Sequence, residues 1–172
     1  MNIGLIGMPG TMKSSVGKAL SALTGMPLVD TDEEFEREEG RSISDVFETD
    51  GEAYFRARER AIVARVCGGD GAVISFGGGA PLDAGSRAEM KRGCLTVLLT
   101  ATPECIAERC SHSDARPLLR GDMIGRVRRL LAERADVYAE CADVTVDTTG
   151  RKPEEAAEEI AAAVKNLRER GK

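Results

Sequence analysis

The chain has 172 residues, of which 42% are hydrophobic and 31% are charged, which is typical of a globular domain with its own core. The net charge of −5 argues against non-specific nucleic-acid binding, and no apolar run approaches the roughly 18 residues of a membrane span. Five cysteines without a CxxC pair favour reduced thiols over disulfides or a zinc site. We therefore expect a cytoplasmic protein that is a single domain over residues 1–172 and binds neither nucleic acid nor membranes.

Short apolar runs alternate with helical patterns along the chain. The first run, Asn2–Ile6, predicts a strand that leaves no room for a signal peptide, and a helix over Lys13–Leu23 follows it. Further strands are predicted over 27–29, 71–75, 94–99 and 144–146, and further helices over 33–39, after Ser42, 51–67, 83–92, from Thr102 and Pro103, 123–141 and 153–170. This alternation predicts an α/β fold in which helices cover both faces of a parallel sheet.

The loop between the first strand and the first helix, Gly7–Ser14, has the context of a phosphate-binding P-loop. Its glycines, Gly7 and Gly10, let backbone N–H groups converge on phosphate oxygens, and the helix N-terminus adds partial positive charge. Lys13 would reach the β- and γ-phosphates of a nucleotide, and the Ser14 hydroxyl would contact Mg²⁺. A glycine-rich turn without a ligand is the alternative interpretation.

One residue of this loop departs from the P-loop pattern, because Met12 stands where glycine normally precedes the lysine. If the backbone there needs a positive φ, a Cβ atom costs about 1–2 kcal/mol. The methionine must then strain the backbone or move the loop onto a different path. In either case we expect weakened ATP binding.

Two more signals follow the second and third predicted strands. The segment Asp30-Thr31-Asp32 ends a strand, and the carboxyl ends of parallel strands line the ligand crevice. Its two acids could divide the work between a metal-bound water and a substrate hydroxyl, whereas a helix N-cap is the alternative for Asp32. Gly77-Gly78-Gly79 predicts a close approach of the backbone to a ligand, with a flexible turn as the alternative.

In order and spacing these motifs resemble the shikimate kinase family from Ile3 to about Pro153. Phe55-Arg56 after Asp50-Gly51-Glu52 is the most discriminating part, because generic P-loop proteins lack it. The matching motifs are Lys13-Ser14, Asp30-Thr31-Asp32, Gly40-Arg41-Ser42-Ile43, Asp50-Gly51-Glu52 with Phe55-Arg56 and Glu59, Gly77-Gly78-Gly79, Arg116-Pro117-Leu118-Leu119, and Arg134 with Tyr138. The resemblance implies a three-layer αβα fold of the nucleotide-kinase type with a five-stranded parallel sheet, a substrate-binding region at about 31–60 and a mobile lid at about 111–122.

The resemblance also implies the reaction, which is phosphorylation of the shikimate 3-hydroxyl by ATP, in aromatic amino acid biosynthesis, with Mg²⁺ as cofactor. Residues matching Arg56 and Arg134 grip the shikimate carboxylate, which suits the geometry of guanidinium groups. The residue matching Asp32 holds ring hydroxyls and is the candidate base. The residue matching Asp30 supports Mg²⁺ through water, and the Gly77–Gly79 backbone lines the same pocket. A monomer with ATP and shikimate as its ligands is expected.

On the nucleotide side, Arg116 resembles the lid arginine that neutralises phosphate charge during transfer. Arg109 matches a position that stacks on adenine, and Arg151 falls in the adenine loop, with solvated surface charge as the alternative for both. The residues expected to bind ATP are Gly7, Gly10, Thr11, Met12, Lys13, Ser14, Ser15, Arg109, Arg116 and Arg151.

Two alternatives to an active shikimate kinase remain at this point. The first is another small-molecule P-loop kinase, for example one that acts on gluconate, but Arg56 and Arg134 with the triple glycine favour a cyclic acid. The second is a non-catalytic homologue that binds shikimate or nucleotide, and only Met12 supports it. A chain released from catalysis would have no physical need for the full set that is retained, which is Lys13, Ser14, Asp30, Asp32 and Arg116.

Overall fold

A computed structural model of the chain describes residues 1–111 and 122–169. Its sheet has five strands in the order β2-β3-β1-β4-β5, and every neighbouring pair is parallel. The strands are β1 Asn2–Ile6, β2 Leu28–Asp30, β3 Val73–Ser75, β4 Cys94–Thr100 and β5 Val144–Asp147. The five-stranded parallel sheet expected from the sequence is therefore confirmed.

Eight α-helices alternate with these strands in the described part of the chain, and a short 3₁₀ turn at Ala80–Leu82 follows β3. They are α1 Lys13–Thr24, α2 Thr31–Glu39, α3 Ile43–Thr49, α4 Gly51–Cys67, α5 Ala84–Gly93, α6 Pro103–Ser111, α7 Met123–Cys141 and α8 Pro153–Glu169. No helix within the described ranges is long and apolar enough to cross a membrane. The lid expected over residues 111–122 lies mainly at 112–121, outside the described residues.

Helices cover both faces of the sheet, which gives the three layers that the sequence predicts. On one face, Val16 of α1 and Ile160 of α8 pack with Leu5 of β1. On the other face, Val63 of α4 and Met90 of α5 pack against neighbouring strands. Successive strand residues point to opposite faces and both faces are covered, so all five positions of the central strand β1 are buried.

A third apolar cluster packs together α2, α3 and α4, which contain the predicted substrate-binding region at about 31–60. Phe35 of α2, Val46 of α3 and Phe55 of α4 are buried in it, and the ring centroids of Phe35 and Phe55 are 4.8 Å apart. Because α4 also contributes Val63 to the packing under the sheet, this one helix joins α2 and α3 to the main core.

The start of α2 differs from the sequence-based expectation in a way that bears on the site. Asp30 is the N-cap, and its Oδ1 accepts hydrogen bonds from the backbone N–H groups of Asp32 at 3.0 Å and Glu33 at 3.5 Å. The helix therefore begins at Thr31, two residues earlier than predicted. The alternative interpretation of Asp32 as the N-cap is wrong, because Asp32 lies in the first turn and its neighbour does the capping.

Candidate active site at the carboxyl edge of the sheet

The three motifs follow β1, β2 and β3, which are neighbours in the sheet, so they meet at one edge. They border a cleft of about 510 Å³. Its lining residues are Pro9, Gly10, Met12, Lys13, Ser14, Ser15, Asp30, Asp32, Ser75, Phe76, Gly78, Arg109 and Cys110. The fold thus places the expected phosphate loop, the acidic pair and part of the triple glycine around a single cleft.

The loop before α1 needs its glycines for both conformation and space. Gly7 has φ 145° and Gly10 has φ 85°, backbone conformations that residues with a Cβ rarely adopt. A Cβ atom on Gly7 would overlap the carbonyl oxygen of Leu99, and one on Gly10 would lie 3.0 Å from Cys110 Sγ. Thr11 is buried and closes the loop by donating its hydroxyl to the Met8 carbonyl at 2.7 Å.

Lys13 and Ser14 stand at the end of this loop, where α1 begins. Lys13 Nζ donates to the carbonyls of Gly7 at 2.9 Å and Met8 at 3.1 Å, so its charge lies over the loop. Ser14 Oγ donates to Asp30 Oδ2 at 3.0 Å, and the N-cap bonds to Asp30 Oδ1 fix the orientation of that carboxylate. A hydroxyl and a carboxylate are hard oxygen donors, which fits a Mg²⁺ ion that also binds phosphates.

Met12 adopts the backbone conformation that the P-loop pattern reserves for glycine. Its φ is 66° and its ψ is 24°, and it is the only residue other than glycine with a positive φ in the described ranges. Of the two outcomes expected from the sequence, the structure has the strained backbone. The partly buried methionine side chain packs against the apolar cluster under α1 and α8, which offsets part of the strain.

This strain predicts an unusual order of stability for two substitutions at position 12. Met12→Ala and Met12→Gly both remove the side-chain packing, but only alanine keeps a Cβ in the left-handed conformation. We expect the glycine variant to be more stable to unfolding by urea by about 0.5–1 kcal/mol, the strain relieved less the higher entropy of unfolded glycine. An alanine variant that is equally or more stable would show that the conformation is not strained.

ATP titrations of both variants and the parent test the expectation that Met12 weakens ATP binding.

Each glycine of the triple-glycine segment lies close to a different side chain. A Cβ atom on Gly77 would lie 2.6 Å from Asp32 Oδ1, and one on Gly79 would lie 2.5 Å from Arg56 Nη1. The sequence predicted a close approach of this backbone to a ligand, whereas the structure shows its close approach to the side chains expected to hold one. Thr31 fixes the segment, because its Oγ1 accepts a hydrogen bond from Gly77 N at 2.9 Å.

Arg56 lies on α4 and is held by a buried carboxylate. Its Nη1 donates to Glu59 Oε2 at 2.7 Å, and its Nε donates to the exposed Glu52 at 3.4 Å. Glu59 is 5% exposed, and burial raises its pKa, while the Arg56 guanidinium offsets only part of that shift. Sequence reasoning left Glu59 out of the site, although its i,i+3 spacing from Arg56 in the family motif was a usable signal.

Arg134 reaches the same glycine segment from α7. Its Nη1 lies 3.4 Å from the Gly78 carbonyl oxygen and 3.5 Å from Tyr138 Oη. Tyr138 Oη donates to the same carbonyl at 2.8 Å. The two arginines expected to bind a carboxylate therefore lie against adjacent glycines, next to the glycine that contacts Asp32.

The three remaining arginines of the predicted site have different positions. Arg109 lines the cleft and donates to the Gly10 carbonyl at 3.0 Å and to the Thr148 carbonyl at 2.6 Å, so it joins the phosphate loop to the loop after β5. Arg151 forms an ion pair with Glu159 at 2.6 Å and lies against α8. The roles of Arg109 and Arg151 at adenine stay predictions. Arg116 lies outside the described residues.

Together, the strand order, the glycine loop before α1, Lys13 and the Ser14–Asp30 pair define a P-loop phosphotransferase of the nucleotide-kinase type. The chain belongs to the shikimate kinase family, whose sequence profile matches residues 9–165. Members of this family are ATP-dependent kinases that transfer a phosphate to an alcohol.

Individual relatives agree with this assignment over nearly the whole chain. The shikimate kinase of Thermobifida fusca is 44% identical over 91% of this chain and 91% of its own length. That of Symbiobacterium thermophilum is 40% identical over 99% and 98%. Among solved structures, the shikimate kinase from Acinetobacter baumannii in complex with shikimate has a TM-score of 0.91 and 32% identity, and the match covers 96% of this chain and 93% of that one.

Proposed function

We propose that this chain transfers the γ-phosphate of ATP to the 3-hydroxyl of shikimate, with shikimate 3-phosphate and ADP as products. The observation that carries the proposal is the convergence of Arg56 and Arg134 on Gly79 and Gly78, beside Asp32. Two guanidinium groups against Gly78, which lines the cleft, and its neighbour Gly79 suit a carboxylate, because guanidinium groups can bind carboxylates through two parallel hydrogen bonds. The shikimate bound to the Acinetobacter relative supports the same choice of acid.

In the proposed reaction, the side chains mainly position the reactants and stabilise charge. Arg56 and Arg134 hold the carboxylate and so orient the ring, while Asp32 accepts a hydrogen bond from the attacking hydroxyl. As the new O–P bond forms and the bond to the ADP oxygen breaks, the hydroxyl proton passes to the Asp32 carboxylate. Lys13 and the backbone N–H groups of the glycine loop stabilise the charge that spreads over the transferred phosphoryl group.

The proposed cofactor is Mg²⁺, and Ser14 and Asp30 are the residues that would hold it. The Ser14 hydroxyl would bind the ion directly, and the capped Asp30 carboxylate would act through water, in keeping with the high hydration of protein-bound Mg²⁺. When bound, the ion neutralises charge on the β- and γ-phosphates. Arg109, Arg116 and Arg151 are proposed to complete the nucleotide site with the loop residues.

The setting proposed for the enzyme is a monomer in the cytoplasm, with ATP and shikimate as its ligands and neither nucleic acid nor membranes as partners. All five cysteines are free thiols, including Cys67 and Cys94, whose sulfur atoms are 3.8 Å apart without a bond. Free thiols are usual in cytosolic proteins, which supports the proposed compartment.

A coupled assay of ADP release tests the proposed function. With Mg²⁺, ATP and shikimate, we expect ADP formation far above the control with ATP alone, and little with gluconate as the acceptor. Equal rates with gluconate would favour a kinase for open-chain sugar acids. Shikimate binding in calorimetry without ADP release would instead favour a non-catalytic homologue.

A further inference from the structure

We propose that Tyr138 is a positioning residue. Its hydroxyl donates a hydrogen bond to the Gly78 carbonyl, and this leaves the Arg134 guanidinium available for the substrate carboxylate. The inference rests on the proposed function, because it concerns the residue that we expect to bind the acid. Tyr138 touches no reacting atom in this scheme and acts through Arg134, which lies one turn earlier on α7.

The two side chains share one acceptor. Tyr138 Oη donates to the Gly78 carbonyl at 2.8 Å, whereas Arg134 Nη1 lies 3.4 Å from the same oxygen, beyond the usual range for an N–H···O bond. The tyrosine is therefore the main partner of this carbonyl. Within residues 1–111 and 122–169, the hydrogen-bond contacts of Arg134 involve Nη1 alone, with Gly78 O, Tyr138 Oη and Met8 Sδ, which leaves Nε and Nη2 for a ligand.

The Gly78 carbonyl has little freedom to find another partner. A Cβ atom on Gly78 would lie 3.1 Å from Pro9 Cδ, so the backbone of this residue is packed against the phosphate loop. If the tyrosine hydroxyl were absent, Arg134 Nη1 would remain as a donor 3.4 Å from this oxygen. The flexible arginine would then close its long contact and turn away from the acid.

The environment of Tyr138 keeps the hydroxyl in its donating form. The side chain is 3% exposed, and burial raises the pKa of its phenol, with Arg134 offsetting part of the shift. The Arg134 Nη1 is also 3.5 Å from Tyr138 Oη, so the oxygen that donates to Gly78 faces the arginine with its lone pairs.

The test removes the hydroxyl alone, with Tyr138→Phe. We expect the Kd and the KM for shikimate to rise about tenfold, or 1.4 kcal/mol, with the KM for ATP and kcat within about twofold of the parent. The matched control is Tyr54→Phe, which removes the hydroxyl of the other tyrosine, an exposed side chain of α4 that donates to Glu39 at the end of α2. We expect this control to match the parent in every constant.

The same substitution made in an Arg134→Lys variant shows whether the loss of shikimate binding depends on Arg134. In Arg134→Lys the planar fork is already lost, so adding Tyr138→Phe should change shikimate binding by less than about threefold. A tenfold loss in both backgrounds, unchanged shikimate binding in Tyr138→Phe, or equal losses for ATP and shikimate together with a lower Tm would each overturn the inference. Calorimetry reads binding without turnover, so a parent protein that binds shikimate but does not phosphorylate it overturns the proposed function alone.

Discussion

Replacement of Asp32 by asparagine is expected to lower kcat with shikimate by about 10²- to 10⁴-fold, the usual contribution of a general base. The asparagine has the same shape and can still bind a ring hydroxyl, but it cannot accept the proton that the attacking hydroxyl loses. Asp32 lies against Gly77 and close to Glu59, so a substitution of equal size keeps this tight packing. The measurement is the ADP-release assay at saturating ATP and shikimate.

Two variants on the same segment serve as controls for Asp32→Asn. Asp30→Asn should act mainly on the Mg²⁺ and ATP dependence, because Asp30 contacts Ser14 and not the glycine segment. Glu33→Gln changes an exposed carboxylate one residue further along α2 and should match the parent. A kcat for Asp32→Asn within a few-fold of the parent would contradict the assignment of Asp32 as the base.

The second large effect is expected at the two arginines. Arg56→Ala and Arg134→Ala should each weaken shikimate binding by about 2–5 kcal/mol, which is roughly 30- to 4,000-fold, with ATP binding changed much less. Arg→Lys should also be harmful at both positions, because the ammonium group lacks the planar fork. Arg60→Ala is the matched control on α4, since Arg60 is largely exposed and pairs with Asp83. Calorimetry with equal losses for both ligands would contradict the assignment.

The two arginines should differ in their effect on folding stability, because only Arg56 partners a buried carboxylate. Arg56→Ala leaves Glu59 buried without this ion pair, so we expect a clear loss of unfolding free energy in that variant alone. Adding Glu59→Gln should restore part of the loss, since the amide carries no charge. Restored stability without restored shikimate binding would separate the supporting role of Glu59 from the binding role of Arg56.

For the triple glycine, the sequence correctly predicted a close approach to the backbone, but the groups that approach it in the fold are side chains of the protein. Three successive glycines predicted that something approaches the backbone closely, and a bound ligand was the natural candidate. In the fold, Gly77, Gly78 and Gly79 are contacted by Asp32, Pro9 and Arg56 respectively. These neighbours lie 45, 69 and 23 residues away along the chain, so no local pattern could identify them.

Met12 gives a second case, in which the sequence posed the alternatives and the tertiary structure chose between them. The departure from glycine was visible in the sequence, together with its cost if the backbone needs a positive φ. The left-handed conformation persists because the neighbouring loop and helix fix the path of the chain, and the methionine packs against the core under α1 and α8. That balance of strain and packing depends on helices far apart in the sequence.

The sequence by itself determined the succession of strands and helices along the chain, the phosphate loop and the family. Periodicity, helix caps and glycine requirements are short-range properties of the chain. The tertiary structure alone decided which groups support the site. Tyr138 reaches Gly78 across 60 residues of sequence, and Arg109 joins the phosphate loop to Thr148. These pairs exist because the carboxyl ends of parallel strands meet at one edge of the sheet, and burial there requires each polar group to find a partner.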